Sequence, residues 1–437
     1  MYRTILLASM LALLSAPTLQ AANLMQVYQD AVMQDAELAV ERTRLEQARA
    51  QIRQADSAIL PSITAAGNWN QRRPEEGETS TTTSWRVEAE QVLFSGEAWF
   101  GRTAAQKSFQ AAEARYRDAE EELLLRVSEA YFSVLRAEDN LRTLQAEERA
   151  IGRQLDQVRE QHEVGLIAIT DVLEAQAAYD SVKAARIGAE GALMISYEDL
   201  EQITNNRYDQ VATLDTEMPV SEPTPSDRQA WVDEALANSL ALRQAKAQLG
   251  AAEESLKSRR AGHWPTVAAY GSYSDVLSAD PEFGPQGSNL EQSTTEFGVR
   301  ASIEIYGGGR TSAQVRESSY ALEEAQYSGE LARRQILQQT RSLFTLVNTD
   351  VLTVQARQQA IRSAESALEA TRSGYEVGTR NIVDVLNAER ALWSAQRDYD
   401  AARYDYVVNQ LRLQRAAGKL SEADLRELNR WLVAAES

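Results

Sequence analysis

Apolar positions recur along this chain with two periods that never share a segment. From Leu337, alternating steps of three and four land on Thr340, Phe344, Val347, Val351, Val354, Gln358, Ile361, Glu365, Leu368, Arg372 and Tyr375. An earlier run keeps the same register through Val127, Tyr131, Val134, Glu138, Leu141, Glu148, Ile151, Leu155 and Val158. A 3.5-residue repeat sustained over successive heptads predicts coiled-coil packing. Its polar members predict a seam that is not dry along its whole length. Stretches 97–203 and 309–418 contain no proline and are rich in Ala, Glu, Gln, Arg and Leu, so both are predicted helical. Gly309–Ser373 alone would run roughly 100 Å at about 1.5 Å per residue. That is several bilayer thicknesses, so these helices must project into water. Each stretch bends back once, at Val164-Gly165-Leu166 and Val377-Gly378-Thr379, where glycine suits a helix C-terminus.

The second period is two. Ile63, Ala65, Gly67 and Trp69 alternate with Thr64, Ala66, Asn68 and Asn70; Trp85, Val87 and Ala89 alternate with Arg86, Glu88 and Glu90. Further on, Val267, Ala269, Gly271 and Tyr273 are followed by Phe297, Val299, Ala301, Ile303 and Ile305, which alternate with Glu296, Gly298, Arg300, Ser302 and Glu304. Four strands are predicted, at about 59–71, 84–94, 265–274 and 294–306. A soluble two-faced sheet alternates in this way, and so does a membrane β-barrel with a wet lumen. In the barrel reading Arg86, Glu88, Glu90, Arg300 and Glu304 face the lumen, and loops 72–83 and 275–293 lie outside the cell. Four strands cannot close a cylinder, and an open edge is not tolerated in hydrocarbon. A barrel would therefore have to be shared between copies of the chain.

The pattern occurs twice. Val164-Gly165 and Asp171-Val172-Leu173 answer to Val377-Gly378 and Asp384-Val385-Leu386, 213 residues on. Leu60-Pro61 answers to Trp264-Pro265, and Asp35 to Ser239, 204 residues on. So long a period reads as a duplicated half rather than a solenoid unit. The chain divides into a first copy over 22–203, a linker over 204–227, a second copy over 228–418 and a C-terminal helix within 419–437. Residues 1–21 form an export signal, with Arg3 as its positive end, Ile5 to Ala16 as its apolar stretch and Leu19-Gln20-Ala21 as its cleavage site.

Composition narrows the chemistry. The formal net charge of −19 argues against nucleic acid as a partner and favours cationic or neutral cargo, although diffuse acidity also serves solubility. There is no cysteine, and the two histidines, His162 and His263, are far apart, so neither a disulfide scaffold nor a metal site is predicted. Gly307-Gly308-Gly309-Arg310 lacks the Lys-Ser/Thr ending of a phosphate-binding loop and reads as a strand-to-helix bend. No nucleophile–base pair or carboxylate dyad stands out. An enzyme is not expected, and neither is a cofactor.

Four segments carry a family signature: Asn23-Leu24-Met25-Gln26-Val27-Tyr28-Gln29, Arg153-Gln154-Leu155-Asp156-Gln157, Val164 to Val172 and Gly374 to Leu386. In them the chain closely resembles the TolC family of outer-membrane efflux channels. The resemblance implies a homotrimer in the outer membrane, in contact with its lipid and with most of the chain in the periplasm. Its fold would be a trimeric α-barrel of long coiled-coil helices continuous with a shared twelve-strand β-barrel, four strands per chain. It implies an exit duct for drugs, toxins or proteins, with a periplasmic adaptor protein and an inner-membrane pump or ABC exporter as partners. By position, Asp384 would form a constriction ring of carboxylates; the second ring found in the family's closest members is Asn387 here. Thr170, Asp171, Tyr375 and Arg380 would hold the hairpins shut, and Val164, Gly165, Leu166, Val377, Gly378 and Thr379 would meet the adaptor. Asp171 and Asp384 also open helices, where a carboxylate caps backbone N–H groups. A coiled-coil stalk without a pore is the rival reading; it explains the heptads and leaves the strands without purpose.

Overall fold

The computed structural model describes residues 21–73, 75, 79–279 and 289–433, so the export signal lies outside the described residues, except for Ala21 at its end. The first copy comprises helices α1 (Leu24–Gln34) and α2 (Ala36–Ser57), strands β1 (Ser62–Arg72) and β2 (Ser80–Phe94), and helices α3 (Gly96–Glu163) and α4 (Ile169–Thr204). A short strand β3 (Thr213–Leu214) follows. The second copy repeats the order with α5 (Arg228–Asn238), α6 (Leu240–Ala261), β4 (Thr266–Ala279), β5 (Asn289–Ser302), α7 (Arg310–Glu376) and α8 (Ile382–Ala416). Helix α9 (Glu422–Asn429) and strand β6 (Leu432–Val433) end the described chain.

The duplication extends to the caps. Asp35 Oδ1 accepts from the Leu38 N–H at 2.6 Å to open α2, and Ser239 Oγ accepts from the Leu242 N–H at 3.3 Å to open α6. Helices α3 and α7 run for 68 and 67 residues, about 100 Å each. Along α3 the heptad positions Val127, Tyr131, Val134, Ile151, Leu155 and Val158 are buried; along α7 so are Thr340, Val347, Val351, Val354 and Leu368. Gln358, Glu365 and Arg372, polar members of the same register, are exposed. Among the described residues no helix is long and apolar enough to cross a membrane.

One core surrounds the middle of the long helices, where Leu24, Val27, Val127, Tyr131, Phe132, Val351, Tyr404 and Leu425 pack together. Tyr131 donates to the carbonyls of Ala212, at 2.7 Å, and Ala22, at 3.1 Å, tying α3 to the segment between the copies. There β3 pairs with β6. A second core lies near the hairpin turns, formed by Ile151, Leu155, Val158, Ala175, Leu368, Ile382, Val385 and Leu386.

The remaining strands form one antiparallel sheet in the order β1-β2-β4-β5, which leaves β1 and β5 as edges. Register aligns Ile63, Ala89, Gly271 and Phe297 in one row and Ala65, Val87, Tyr273 and Thr295 in the next. This face is apolar, and Ile63, Trp69, Trp85, Val87, Tyr273, Phe297 and Val299 are all exposed on it. The opposite face carries the row Thr64, Glu88, Ser272 and Glu296, flanked by rows with Arg86 and Glu90, and Arg300 lies two rows beyond Glu88.

The strand limits differ from the sequence expectation at both ends. Ile303, Glu304 and Ile305 leave the ladder, which stops at the Thr266–Ser302 pair because Pro265, just beyond it, has no N–H to donate. Glu304 is thus no barrel charge. It turns toward the start of α7 and pairs with Arg310 at 2.9 Å, past a turn in which Gly308 and Gly309 take positive φ. Ile59 and Leu60, expected in the first strand, close a turn after α2 instead. At the other end the strands reach further than expected. Thr81, Thr82, Thr83 and Ser84 pair with Gln71, Asn70, Trp69 and Asn68. Threonine suits a pleated surface even where no hydrophobic alternation marks it. The expected loops 72–83 and 275–293 shorten accordingly, and residues 74, 76–78 and 280–288 of them lie outside the described residues.

Candidate gate at the helical hairpin tips

Both long hairpins turn in the same way. After α3 the Gly165 N–H donates to His162 O at 2.9 Å and the Leu166 N–H to Gln161 O at 2.9 Å; after α7 the Gly378 N–H donates to Tyr375 O at 3.0 Å and the Thr379 N–H to Gly374 O at 2.8 Å. Gly165 and Gly378 have φ of 78° and 76°, the left-handed region that other residues enter at a cost. Nothing lies within 4 Å of the missing Cβ at either glycine, so a side chain there would enter open space. Val164, Leu166, Val377 and Thr379 are likewise exposed around them. His162 Nδ1 lies 3.0 Å from Ile167 O and braces the first turn from within.

The two turns differ where the next helix starts. Asn381 and Asp384 form a reciprocal cap on α8: the Asp384 N–H donates to Asn381 Oδ1 at 2.9 Å and the Asn381 N–H to Asp384 Oδ2 at 3.4 Å. Arg380 adds an ion pair to Asp384 at 3.8 Å. On α4 the equivalent cap position is Ala168, which has no side chain to offer, so Asp171 has only the helix dipole. Asn387 is exposed one turn beyond Asp384.

A cleft of roughly 880 Å³ separates the two hairpins near their turns, lined by Arg153, Gln161, Asp171, Tyr375, Arg380 and Glu389 among others. The structure thus brings Asp171, Tyr375 and Arg380 to one place without joining them directly. Tyr375 donates to Gln161 Oε1 at 3.0 Å, because the last turn of α7 carries its ring toward α3. Burial, with the Asp171 carboxylate nearby, pushes the Tyr375 hydroxyl above its ordinary pKa and keeps it a donor. Arg380 stays within its own hairpin on Asp384. Thr170 is exposed, and among the described residues no side-chain hydrogen bond draws it to the second hairpin.

Four residues of this region have a role that the sequence pattern does not assign, although Arg372 falls on the heptad and Gly374 opens a matching motif. Gln161 has no distinguishing spacing. Gly374 matters because a Cβ there would fall 2.7 Å from Arg380 Cγ, so glycine lets Arg380 lie against α7. Arg372 and Glu389 pair at 2.5 Å across α7 and α8. The repeat does show a trace of that pair, since Arg159 and Gln176 stand 213 residues earlier.

On the sheet, Arg86, Glu88, Glu90 and Arg300 share the polar face, and the Arg300 guanidinium lies 4.7 Å from the Tyr270 ring centroid. Among the described residues no three His, Asp or Glu side chains gather as metal ligands would.

Comparison with known proteins gives a consistent picture. A family model described as outer membrane efflux protein matches residues 27–206 and 231–419, one segment per copy. The outer membrane protein TolC of Vibrio cholerae serotype O1 is 34% identical over 95% of this chain and 95% of its own. The alkaline protease secretion protein AprF of Pseudomonas aeruginosa is 26% identical, over 86% of this chain and 77% of its own. Among solved structures, the open-state MtrE outer membrane channel of Neisseria gonorrhoeae superposes with a TM-score of 0.77 at 20% identity, over 93% of this chain and 94% of that one.

Proposed function

The chain belongs to the outer membrane efflux protein family, and from that premise we propose that three copies build one duct, which receives drugs, toxins or proteins from an inner-membrane pump and periplasmic adaptor. It is an outer-membrane protein, in a family of channels rather than enzymes.

The observation that carries the shared duct is the unclosed sheet. Strands β1 and β5 each present an unpaired edge, and the face between them is apolar and exposed. In hydrocarbon both edges must be paired, and single-chain barrels begin at about eight strands. Twelve strands from three chains satisfy that need. Arg86, Glu88, Glu90 and Arg300 then line a wet lumen, and α3 and α7 continue the wall into the periplasm.

At the far end, Asp384 would stand three times around the axis. Like charges gathered there repel one another, a strain that a passing cation relieves, so the shut entrance favours cations. Asn387 leaves that ring without a second one. The Tyr375–Gln161 bond holds the two hairpins together at rest, the Arg380–Asp384 pair steadies the second hairpin from within, and the exposed turns at Gly165 and Gly378 offer the adaptor its first contact.

Extraction from outer membranes tests the assembly. A detergent-solubilised trimer that runs as monomer only after heating is the expected result, together with accumulation of exported compounds in a deletion strain. A monomer soluble without detergent would sink the reading.

A further inference from the structure

The two hairpins carry the same clip in different chemistry. In the first, Arg159 Nη2 donates to Gln176 Oε1 at 2.5 Å, joining α3 to α4 between an exposed arginine and a half-buried glutamine. In the second, 213 residues on, Arg372 Nη2 reaches Glu389 Oε1 at 2.5 Å, joining α7 to α8. Glu389 is only 2% exposed, whereas the Arg372 side chain keeps 53% of its surface in water. The other carboxylate oxygen of Glu389 is buried without any hydrogen-bond partner.

We propose that Glu389 is a positioning residue: with Arg372 it locks α7 to α8, so that the second hairpin swings as one rigid body while the first can shear. This rests on the gate reading above. A hairpin can part from its neighbours by moving whole or by sliding one helix along the other. Sliding in the second hairpin would pull Arg372 away and leave a carboxylate buried and unpaired, which is costly. The same slide in the first hairpin separates a neutral amide and an arginine that water can solvate at once. The helix starts reinforce the difference, since Asn381 and Asp384 cap α8 reciprocally while Ala168 offers α4 no side chain. Glu389 lines the cleft beside Ile382 and Val385, which belong to the core with Leu368 and Leu386, so the lock acts where α7 and α8 are already packed.

The absence of cysteine allows a clean spin-label pair at Glu369→Cys and Arg390→Cys. Labelled chains are diluted into unlabelled trimers so that each carries one pair, and the distance distribution is read by pulsed electron paramagnetic resonance. Glu389→Ala should widen it, by roughly a factor of two if the buried pair sets the spacing. Glu389→Gln should restore most of the narrow distribution, because glutamine can accept from Arg372 as Gln176 does from Arg159. Gln176→Ala should leave this pair unchanged. Should Glu389→Ala fail to assemble, Arg372→Ala removes the clip from its exposed end with the same expectation. A wild-type distribution in an intact Glu389→Ala or Arg372→Ala trimer overturns the proposal. Conductance of the same trimers separates the two readings: a widened distribution with wild-type conductance retires the gate and leaves the clip standing.

Discussion

Tyr375 on α7 donates its hydroxyl to Gln161 on α3 at 3.0 Å, joining the two hairpins just before both turn. A neutral hydrogen bond of this kind contributes about 1 kcal/mol net, roughly fivefold in an equilibrium for each protomer. Tyr375→Phe should therefore raise resting conductance in planar bilayers, and Gln161→Ala should do the same. Adding Arg380→Ser should raise it further, since that also frees Asp384. Unchanged conductance in the double variant would place the latch elsewhere.

Asp384 caps a helix and carries a charge, and the two roles can be pulled apart. Asp384→Asn keeps a side-chain oxygen for the Asn381 N–H but removes the charge. It should reduce cation preference in single-channel recordings with little change in thermal stability. Asp384→Ala should lose the preference and also the N3 half of the reciprocal cap, lowering thermal stability slightly more than Asp384→Asn does. Full cation preference in both variants would remove Asp384 from the selectivity element.

Gly165 and Gly378 sit at positive φ with open space around them. Alanine at either site meets no clash but must take a left-handed backbone, at about 1–2 kcal/mol. Trimer assembly should be unchanged, because the strain falls on exposed turns. Export by the complete pump assembly, read as compound accumulation in cells, should fall. Full export with both alanines would show that the turn geometry is not what the adaptor reads.

Asp400 on α8 predicts a pH dependence outside the membrane. Burial, and then the Asp139 carboxylate, push it from 3.8 to about 6. The folded chain therefore holds this proton over a pH range in which the unfolded chain has released it. Stability from this group is greatest below about pH 4 and falls as pH rises toward 6. Asp400→Asn should flatten thermal stability between pH 4 and 7 and raise it at pH 7 by on the order of 1 kcal/mol after solvent screening. An unaltered pH profile would show that the neighbouring Arg403 and Arg142 already compensate the charge.

Several features are legible in the sequence because they are local or periodic. Val127, Tyr131 and Val134 announce a buried seam by spacing alone, and Trp85, Val87 and Ala89 announce a strand. The glycine turns repeat 213 residues apart. That four strands are too few to close a barrel follows from barrel geometry alone. Threonines 81–83 were missed as strand because their pairing comes from β1 and β4 rather than from their own pattern.

Sequence by itself determined the long helices, the sheet-forming segments, the twofold repeat and the turn positions, since each depends on residues close along the chain. Tertiary structure decided that Tyr375 meets Gln161, that Glu304 turns to Arg310, and that Glu389 is buried while Gln176 is not. Those outcomes depend on which surfaces meet across the hairpins and on where β4 stops offering N–H groups to β5. Burial and partner choice are set by segments far apart in the chain, and heptad spacing alone does not encode them.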